Sequence, residues 1–136
     1  MIAKSSDAKT AEESALSLNL EKSRSYSSYE TMAEVESSLD SGIDAVAIVT
    51  PNHLHAKIAA IFLSKGIHVI CDKPLTTNLD DAEYLASMVK ESGLVFAVTY
   101  NYSGYPMVRQ AREMIQNNEL GGIRAIQIEY AQDWLA

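Results

Sequence analysis

Ile67-His-Val-Ile-Cys-Asp-Lys-Pro-Leu75 decides the fold, because a short apolar run ends there abruptly in an acid, a lysine and a proline. A strand that is apolar on both faces is typical of the centre of a parallel sheet. Ligands of open α/β sheets bind outside the carboxyl ends of such strands, so this segment places Lys73 where chemistry normally occurs. Pro74 ends the strand, and Lys73–Pro74 is a candidate cis peptide bond.

Strand and helix patterns alternate on both sides of this segment. Two further apolar runs, at residues 45–49 and 94–99, predict buried strands. A helix is predicted at about residues 53–65, and another between Asn78, as its N-cap, and Gly93. This alternation over residues 1 to about 117 predicts an α/β fold. It consists of a three-layer parallel sheet with right-handed crossovers and helices on both faces.

The pattern changes near the end of the chain. Ile126-Gln-Ile-Glu-Tyr130 alternates with a period of two, which is typical of a strand with one wet face in an antiparallel sheet. We therefore expect two domains, a parallel-sheet domain at residues 1–120 and the start of an antiparallel-sheet domain at residues 121–136.

Composition excludes several classes of protein. The 136 residues carry a formal net charge of −7, which argues against a nucleic-acid partner. No apolar run approaches the length of a membrane span, and residues 1–20 lack the pattern of a signal peptide. The single cysteine, Cys71, cannot form an intrachain disulfide. We expect a cytoplasmic protein with a reduced, buried thiol and no membrane partner.

Polar clusters follow three of the predicted strands, and parallel strands bring them to one edge. They are Thr50-Pro51-Asn52, Asp72-Lys73-Pro74 and Asn101-Tyr102. Such residues also end strands and cap helices without any further role. A desolvated Lys73, or one near a cation, would have a lowered pKa and could exchange a proton with a substrate hydroxyl. Asp72 would favour the charged lysine, and the sequence does not decide between the two effects.

His53 and His55 form a His-x-His pair at the start of a predicted helix. Residues two apart point in different directions on a helix, and no Cys, Asp or Glu follows at ligand spacing. We therefore expect no metal site, and a histidine that is hydrogen-bonded at the helix start.

Together these segments resemble the Gfo/Idh/MocA family of NAD(P)-dependent oxidoreductases, and its inositol-dehydrogenase-like members in particular. The matching stretches are Ala45–His55, Gly66–Pro74, Asn101 with Pro106, and Leu120–Ile123. The resemblance implies a Rossmann domain followed by a larger α/β domain with an open antiparallel sheet. It also implies hydride transfer between NAD or NADP and a secondary alcohol of a sugar or cyclitol.

The resemblance assigns roles residue by residue. Lys73 matches the lysine of the family's Glu-Lys-Pro motif, which contacts the substrate hydroxyl and assists the proton transfer that accompanies hydride transfer. Lys73 is therefore the candidate catalytic residue. At Ser5 and Ser6, beside the adenosine ribose, an acid would favour NAD, whereas serines leave room for the phosphate of NADP. The candidate cofactor-binding residues are Ser5, Ser6, Thr50, Pro51, Asn52, His55, Asp72, Lys73 and Asn101.

The chain also departs from the family pattern. Asp72 replaces the usual glutamate, and no Gly-x-Gly-x-x-Gly occurs to cradle a pyrophosphate at a helix N-terminus. The first βα unit is missing, as is most of the second domain, which in the family carries further catalytic side chains, often an Asp and a His. We therefore expect a partial Rossmann domain within a truncated piece that is weakly active or inactive alone. Its exposed sheet edges favour self-association.

A non-catalytic α/β module that binds a nucleotide or a partner is the alternative. The absent glycine loop favours this alternative, and the Lys73 motif opposes it. A receiver-type signalling domain also places Lys-Pro after a strand. It requires an acidic pair after its first strand and a phosphoacceptor Asp at the end of its third, and neither is visible.

Overall fold

The computed structural model describes residues 3–4, 8–20 and 22–133, which fall into two compact units, Met1–Thr99 and Tyr100–Ala136. The strands are β1 Ala3–Lys4, β2 Ser25–Tyr26, β3 Ala45–Ile48, β4 His68–Cys71 and β5 Phe96–Val98. The α-helices are α1 Ala8–Ser17, α2 Tyr29–Ser38, α3 His55–Ser64, α4 Leu79–Ser92 and α5 Pro106–Gln116. Short 3-10 helices cover Lys22–Arg24, Asn52–Leu54 and Asn101–Gly104. None of the described helices combines the length and apolarity that a membrane crossing needs.

The described strands pair in parallel, as the alternating sequence pattern predicts. β1 pairs with β2, and a three-stranded sheet has the order β3-β4-β5, with β4 in the centre. The register sets Cys71 beside Ile48 on one side and beside Val98 on the other. Three strands therefore end at the same edge, which confirms the predicted α/β fold. The two-residue strand β2 was not predicted, because its segment is mostly polar.

Burial in the three-stranded sheet is one-sided, in contrast to the two-sided burial expected of its central strand. Val69 and Cys71 are fully buried, whereas Ile70 between them is 44% exposed. Helix α3 packs on the buried side, where Phe62 joins the same hydrophobic core. The expectation that β4 is buried on both faces is therefore wrong for the described part of the chain, because the side chain of Ile70 faces away from that core.

Capping residues mark the ends of two helices, and those of α4 lie where the sequence predicts them. Ser28 caps α2, with its hydroxyl oxygen accepting from Thr31 N at 3.3 Å. Asn78 caps α4, with its side-chain oxygen accepting from Asp81 N at 2.9 Å. Gly93 ends α4 with φ of 68°, a left-handed conformation that costs a residue without Cβ little. These short-range bonds set where the connections between sheet and helices begin.

A buried polar network joins α2 to the segment before it. Glu36 is 1% exposed and accepts hydrogen bonds from Arg24 Nε at 3.0 Å and from the Tyr26 hydroxyl at 2.7 Å. The Arg24 guanidinium, through its hydrogen bond, holds the pKa of Glu36 below its ordinary value of 4.5. Burial, followed by the bond to Glu36, raises the pKa of Tyr26 to about 12. A side chain at Gly42 would overlap the carbonyl oxygen of Glu36, so the turn after α2 closes tightly over this network.

The structure of residues 121–133 differs from the prediction that their sequence pattern gives. Residues 121–133 contain no strand, although the alternation at 126–130 predicts one. A strand requires a ladder partner, and the described residues offer none to this segment. Ile126 and Ile128 are accordingly 76% and 84% exposed. The domain division at residue 120 remains a prediction.

Replacing the buried Glu36 with Gln is expected to destabilise the fold by about 2 kcal/mol, because the partly buried Arg24 guanidinium loses its opposite charge. Glu36 has a lowered pKa in the folded chain. Its ionised form therefore stabilises the fold above the ordinary pKa of Glu, and this contribution is lost as the pH falls through the folded pKa. Urea unfolding at several pH values below neutrality measures both effects, and the variant should show a flatter decline in acid.

Glu34→Gln is the matched control on the same helix, since Glu34 is exposed and pairs with Lys65 at the surface. Its effect should stay below about 1 kcal/mol, as is usual for surface ion pairs. Equal losses in the two variants would contradict the importance of the buried network.

Candidate functional site

Three neighbouring strand ends build the site. Asp72 N donates to Ile48 O at 2.9 Å, which continues the parallel ladder one residue beyond β4. On the other side of β4, Thr99 N donates to Cys71 O at 3.0 Å. The residues that follow β3, β4 and β5 therefore emerge together at the carboxyl edge of the sheet, where open α/β sheets bind ligands.

The carboxylate of Asp72 joins the ends of β4 and β5. Its Oδ1 atom accepts from the Thr99 hydroxyl at 2.6 Å and from the backbone N–H of Lys73 at 2.8 Å. The Thr99 hydrogen bond is the main reason that the pKa of Asp72 lies below its ordinary value, and the Lys73 N–H adds to it. Asp72 thus remains ionised at neutral pH. Its hydrogen bond also holds the backbone of Lys73 in place.

His55 joins the end of β3 to the turn after β4. Its ring is 1% exposed and lies between two backbone carbonyls, with Nε2 2.9 Å from Thr50 O and Nδ1 2.8 Å from Pro74 O. Both ring nitrogens are therefore engaged within the fold. Predicted as a cofactor-binding residue, His55 contributes to this edge by linking two loops.

Lys73 is exposed between these two links. The Lys73–Pro74 peptide bond is cis, as expected from the sequence. No hydrogen bond or ion pair joins its Nζ to any part of the chain that the structure describes. A flexible amine thus projects from a backbone that is held on both sides, an arrangement suited to meeting a hydroxyl or carbonyl of a bound molecule.

Thr50, Pro51 and Asn52 form the loop beyond β3. Pro51 and Asn52 are exposed, and Asn52 begins the 3-10 helix that leads into α3. The Oγ1 atom of Thr50 is buried and has no hydrogen-bond partner among the described residues. A buried hydroxyl without a partner is costly, so a bound polar group or a water molecule would stabilise it. Thr50 also lines a cavity of about 310 Å³ beside β3, together with Ser14 of α1 and with apolar residues of α2 and α3.

The remaining predicted residues lie elsewhere. Ser5 and Ser6 fall outside the described residues, so their role stays a prediction. Asn101 begins a 3-10 helix in the second unit, and its role as a cofactor-binding residue also stays a prediction. Among residues 3–4, 8–20 and 22–133, no three His, Cys, Asp or Glu side chains group closely enough to hold a metal ion.

Sequence reasoning missed Thr99 as part of this edge. Thr99 ends the third apolar run and reads as its last residue. The available signal was the parallel pairing itself, since the strand beside β4 must end near Asp72. A residue with a side-chain hydroxyl at position 99 can therefore donate a hydrogen bond to the Asp72 carboxylate.

Comparison with known proteins identifies a family. A model of the oxidoreductase family GFO_IDH_MocA, with an NAD-binding Rossmann fold, matches residues 2–100. Levoglucosan dehydrogenase from Pseudarthrobacter phenanthrenivorans is 38% identical over 97 residues, which cover 71% of this chain and 25% of that protein. The chain spans a quarter to a third of the length of the curated relatives that it matches first.

Solved structures agree with this similarity. An oxidoreductase from Sinorhizobium meliloti superposes with a TM-score of 0.91 and 53% identity, over 98% of this chain and 39% of that one. An inositol dehydrogenase homologue from Azotobacter vinelandii, in complex with NADH and myo-inositol, superposes with a TM-score of 0.86 and 37% identity. That match covers 91% of this chain and 33% of the homologue.

Thr99→Val is expected to raise the pKa of Asp72 toward its ordinary value, because the variant lacks the hydroxyl that donates to Oδ1. Carboxyl-carbon NMR titration of the labelled chain measures this pKa directly. The lowered pKa means that ionised Asp72 stabilises the fold above its ordinary pKa, and that this contribution is lost as the pH falls. Thr31→Val, at an exposed position on α2, should leave the Asp72 titration unchanged. An unchanged titration in Thr99→Val would show that the hydrogen bond does not form in solution.

Proposed function

This chain belongs to the Gfo/Idh/MocA oxidoreductase family, whose fold is an NAD-binding Rossmann fold, and we propose that it contributes the dinucleotide-binding part of an NAD(P)-dependent dehydrogenase. The whole protein oxidises a secondary alcohol of a sugar or cyclitol. The named activities of similar proteins, which include levoglucosan dehydrogenase and an inositol dehydrogenase homologue, support this substrate class.

The placement of Lys73 is the observation that carries the proposal. Its amine projects from the carboxyl end of the central strand, while Asp72 holds its backbone N–H. In the oxidation, the alcohol loses its carbon-bound hydrogen as a hydride, and its hydroxyl proton passes to the lone pair of Lys73 Nζ, which takes part in this step as a neutral amine. A bound nicotinamide would supply the hydride acceptor. Lys73 is then the catalytic residue, and it orients the substrate hydroxyl.

The β3 loop supports the same assignment. The buried Thr50 Oγ1 lacks a partner among the described residues and is available to a polar group of the cofactor. We propose that this loop and Asp72 line the cofactor, with His55 behind them. We retain Asn101, Ser5 and Ser6 as proposed cofactor contacts, and the serines would accommodate NADP. The division into a dinucleotide-binding domain at 1–120 and a second domain from 121 belongs to the same proposal.

We further propose a cytoplasmic location, with a small-molecule substrate and no nucleic-acid or membrane partner. The net charge of −7 supports the absence of a nucleic-acid surface. The same resemblance places other catalytic groups in a second domain, so the 136-residue chain alone should oxidise myo-inositol only at the background rate.

Lys73→Ala is expected to weaken binding of NADH or NADPH to this chain several-fold, since an exposed cation at the strand ends is removed from beside an anionic cofactor. Isothermal titration calorimetry with both cofactors measures the effect. Lys90→Ala is the matched control, because Lys90 lies in the last turn of α4. That helix starts near the carboxyl ends of the strands and ends near their amino ends, away from the candidate site. The control should bind as the unchanged chain does.

Absence of saturable binding by either cofactor would overturn the proposal and favour a non-catalytic α/β interaction module. Equal binding by the unchanged chain and Lys73→Ala would also count against it, because the lysine would then lie away from the cofactor.

Self-association of the chain is a further prediction of the exposed sheet. β3 is hydrogen-bonded to β4 along one side, and no described strand pairs with its other side. Val49, the residue after β3, is 79% exposed. Unpaired edges and exposed apolar faces promote association. Sedimentation velocity should show dimers or larger species, and Ala47→Lys on the exposed face of β3 should shift them toward monomer. Ser87→Lys, on the surface of α4, should not. A monomer at all concentrations would contradict the prediction.

A further inference from the structure

The imidazole of His55 occupies a position that the proposed chemistry does not itself use. The ring is buried, and it lies between the loop that follows β3 and the turn that carries Lys73. We infer that His55 is a positioning residue, which holds the Lys73–Pro74 turn against the β3 loop through hydrogen bonds from both of its ring nitrogens. This inference rests on the proposed function and extends it to a residue that would contact neither cofactor nor substrate.

Hydrogen-bond chemistry restricts how the bridge can form. The partners of Nδ1 and Nε2 are both backbone carbonyl oxygens, which only accept hydrogen bonds. Each ring nitrogen must therefore carry a hydrogen, and a neutral imidazole carries only one. The two-bond bridge thus requires the doubly protonated ring. The Asp72 carboxylate is the negative group that interacts electrostatically with His55, and the neighbouring amine of Lys73 is the competing positive group.

The two bonds act on different parts of the site. Nδ1–H donates to Pro74 O, one residue beyond Lys73, and so restrains the turn from the side opposite the Asp72 bond to Lys73 N. Nε2–H donates to Thr50 O and restrains the β3 loop. Asp72 and Thr99 join β4 to β5, and His55 joins β3 to the β4 turn. The backbone on both sides of Lys73 is therefore held, by the adjacent Asp72 side chain before it and by His55 of α3 after it.

The same positions explain why a buried histidine is placed at the start of α3. His55 is the first residue of the helix, after the 3-10 turn Asn52–Leu54. An apolar residue there would leave two carbonyls without these donors, and burial makes such losses costly. A long flexible amine would supply donors but no fixed separation between them, whereas an aromatic ring holds its two nitrogens rigidly apart.

Ring protonation is the first test, and it needs no cofactor. Nitrogen-15 NMR of the labelled chain at near-neutral pH should show both nitrogens of His55 carrying hydrogen, with slowly exchanging N–H protons. The exposed His53 provides the internal reference for an unrestrained ring. A His55 ring with one nitrogen lacking hydrogen would overturn the two-bond bridge.

Two substitutions then separate the two bonds. The amide nitrogen of His55→Asn lies as many bonds from Cα as Nδ1, so this variant can retain the bond to Pro74 O. The amide nitrogen of His55→Gln corresponds to Nε2 and can retain only the bond to Thr50 O. The backbone amide resonance and hydrogen exchange of Lys73 should stay close to those of the unchanged chain in the Asn variant and should change in the Gln variant. Equal behaviour of Lys73 in the two variants would overturn the positioning role.

Cofactor binding provides a readout that loss of stability alone would not move. His55→Gln should weaken NADH binding about tenfold, which corresponds to ~1.4 kcal/mol, and His55→Asn much less. In the Lys73→Ala background the Gln substitution should have little further effect, because positioning acts through Lys73. Additive losses in this double-mutant cycle would show that His55 does not act through Lys73. If the unchanged chain bound no cofactor, the proposed function would fail, whereas the ring-nitrogen and Lys73 amide measurements would still decide the role of His55.

Discussion

Parallel pairing of β3 with β4 is the constraint on which the candidate site depends. The register that places Ile48 beside Cys71 brings the β3 loop and the Asp72-Lys73-Pro74 turn to one edge. Helix α3 connects the two strands and packs against the face that buries Val69 and Cys71, so the crossover and the pairing support each other. A slip of one residue would exchange the buried and exposed faces of the strand and would separate these loops.

Backbone pairing alone leaves the residues beyond the strands free to move, and side chains supply the missing restraint. Asp72 bonds to Thr99 beyond β5 and to the N–H of Lys73. His55 contacts both Thr50 and Pro74 through backbone oxygens. Loops at the end of a sheet normally carry function because a rigid scaffold positions them. Here, side-chain hydrogen bonds also hold the backbone of the loops themselves.

Local signals and long-range contacts differ in how well the sequence predicts them. The caps at Ser28 and Asn78 and the left-handed Gly93 were predictable, because their partners lie within a few residues along the chain. The burial of Glu36 was not, since a glutamate on a helix reads as a surface residue and its partners Arg24 and Tyr26 precede the helix. The Asp72–Thr99 bond likewise joins residues 27 positions apart. The position of Lys73 at the carboxyl edge of the sheet was predictable, because an apolar strand ending in a charged residue is itself a local signal.

The structure shows how the adjacent side chains of Asp72 and Lys73 are arranged, which the sequence does not. Adjacent opposite charges suggest that the carboxylate holds the lysine amine as an ion pair. Instead, Asp72 Oδ1 accepts from the backbone N–H of Lys73 and from Thr99, and the Lys73 side chain extends without an ion pair to any described residue. The carboxylate therefore fixes where the lysine starts and leaves its amine available. The Asp72 carboxylate can therefore lie next to the lysine that we propose as catalytic, because its hydrogen bonds are directed to the backbone and to the residue beyond a neighbouring strand.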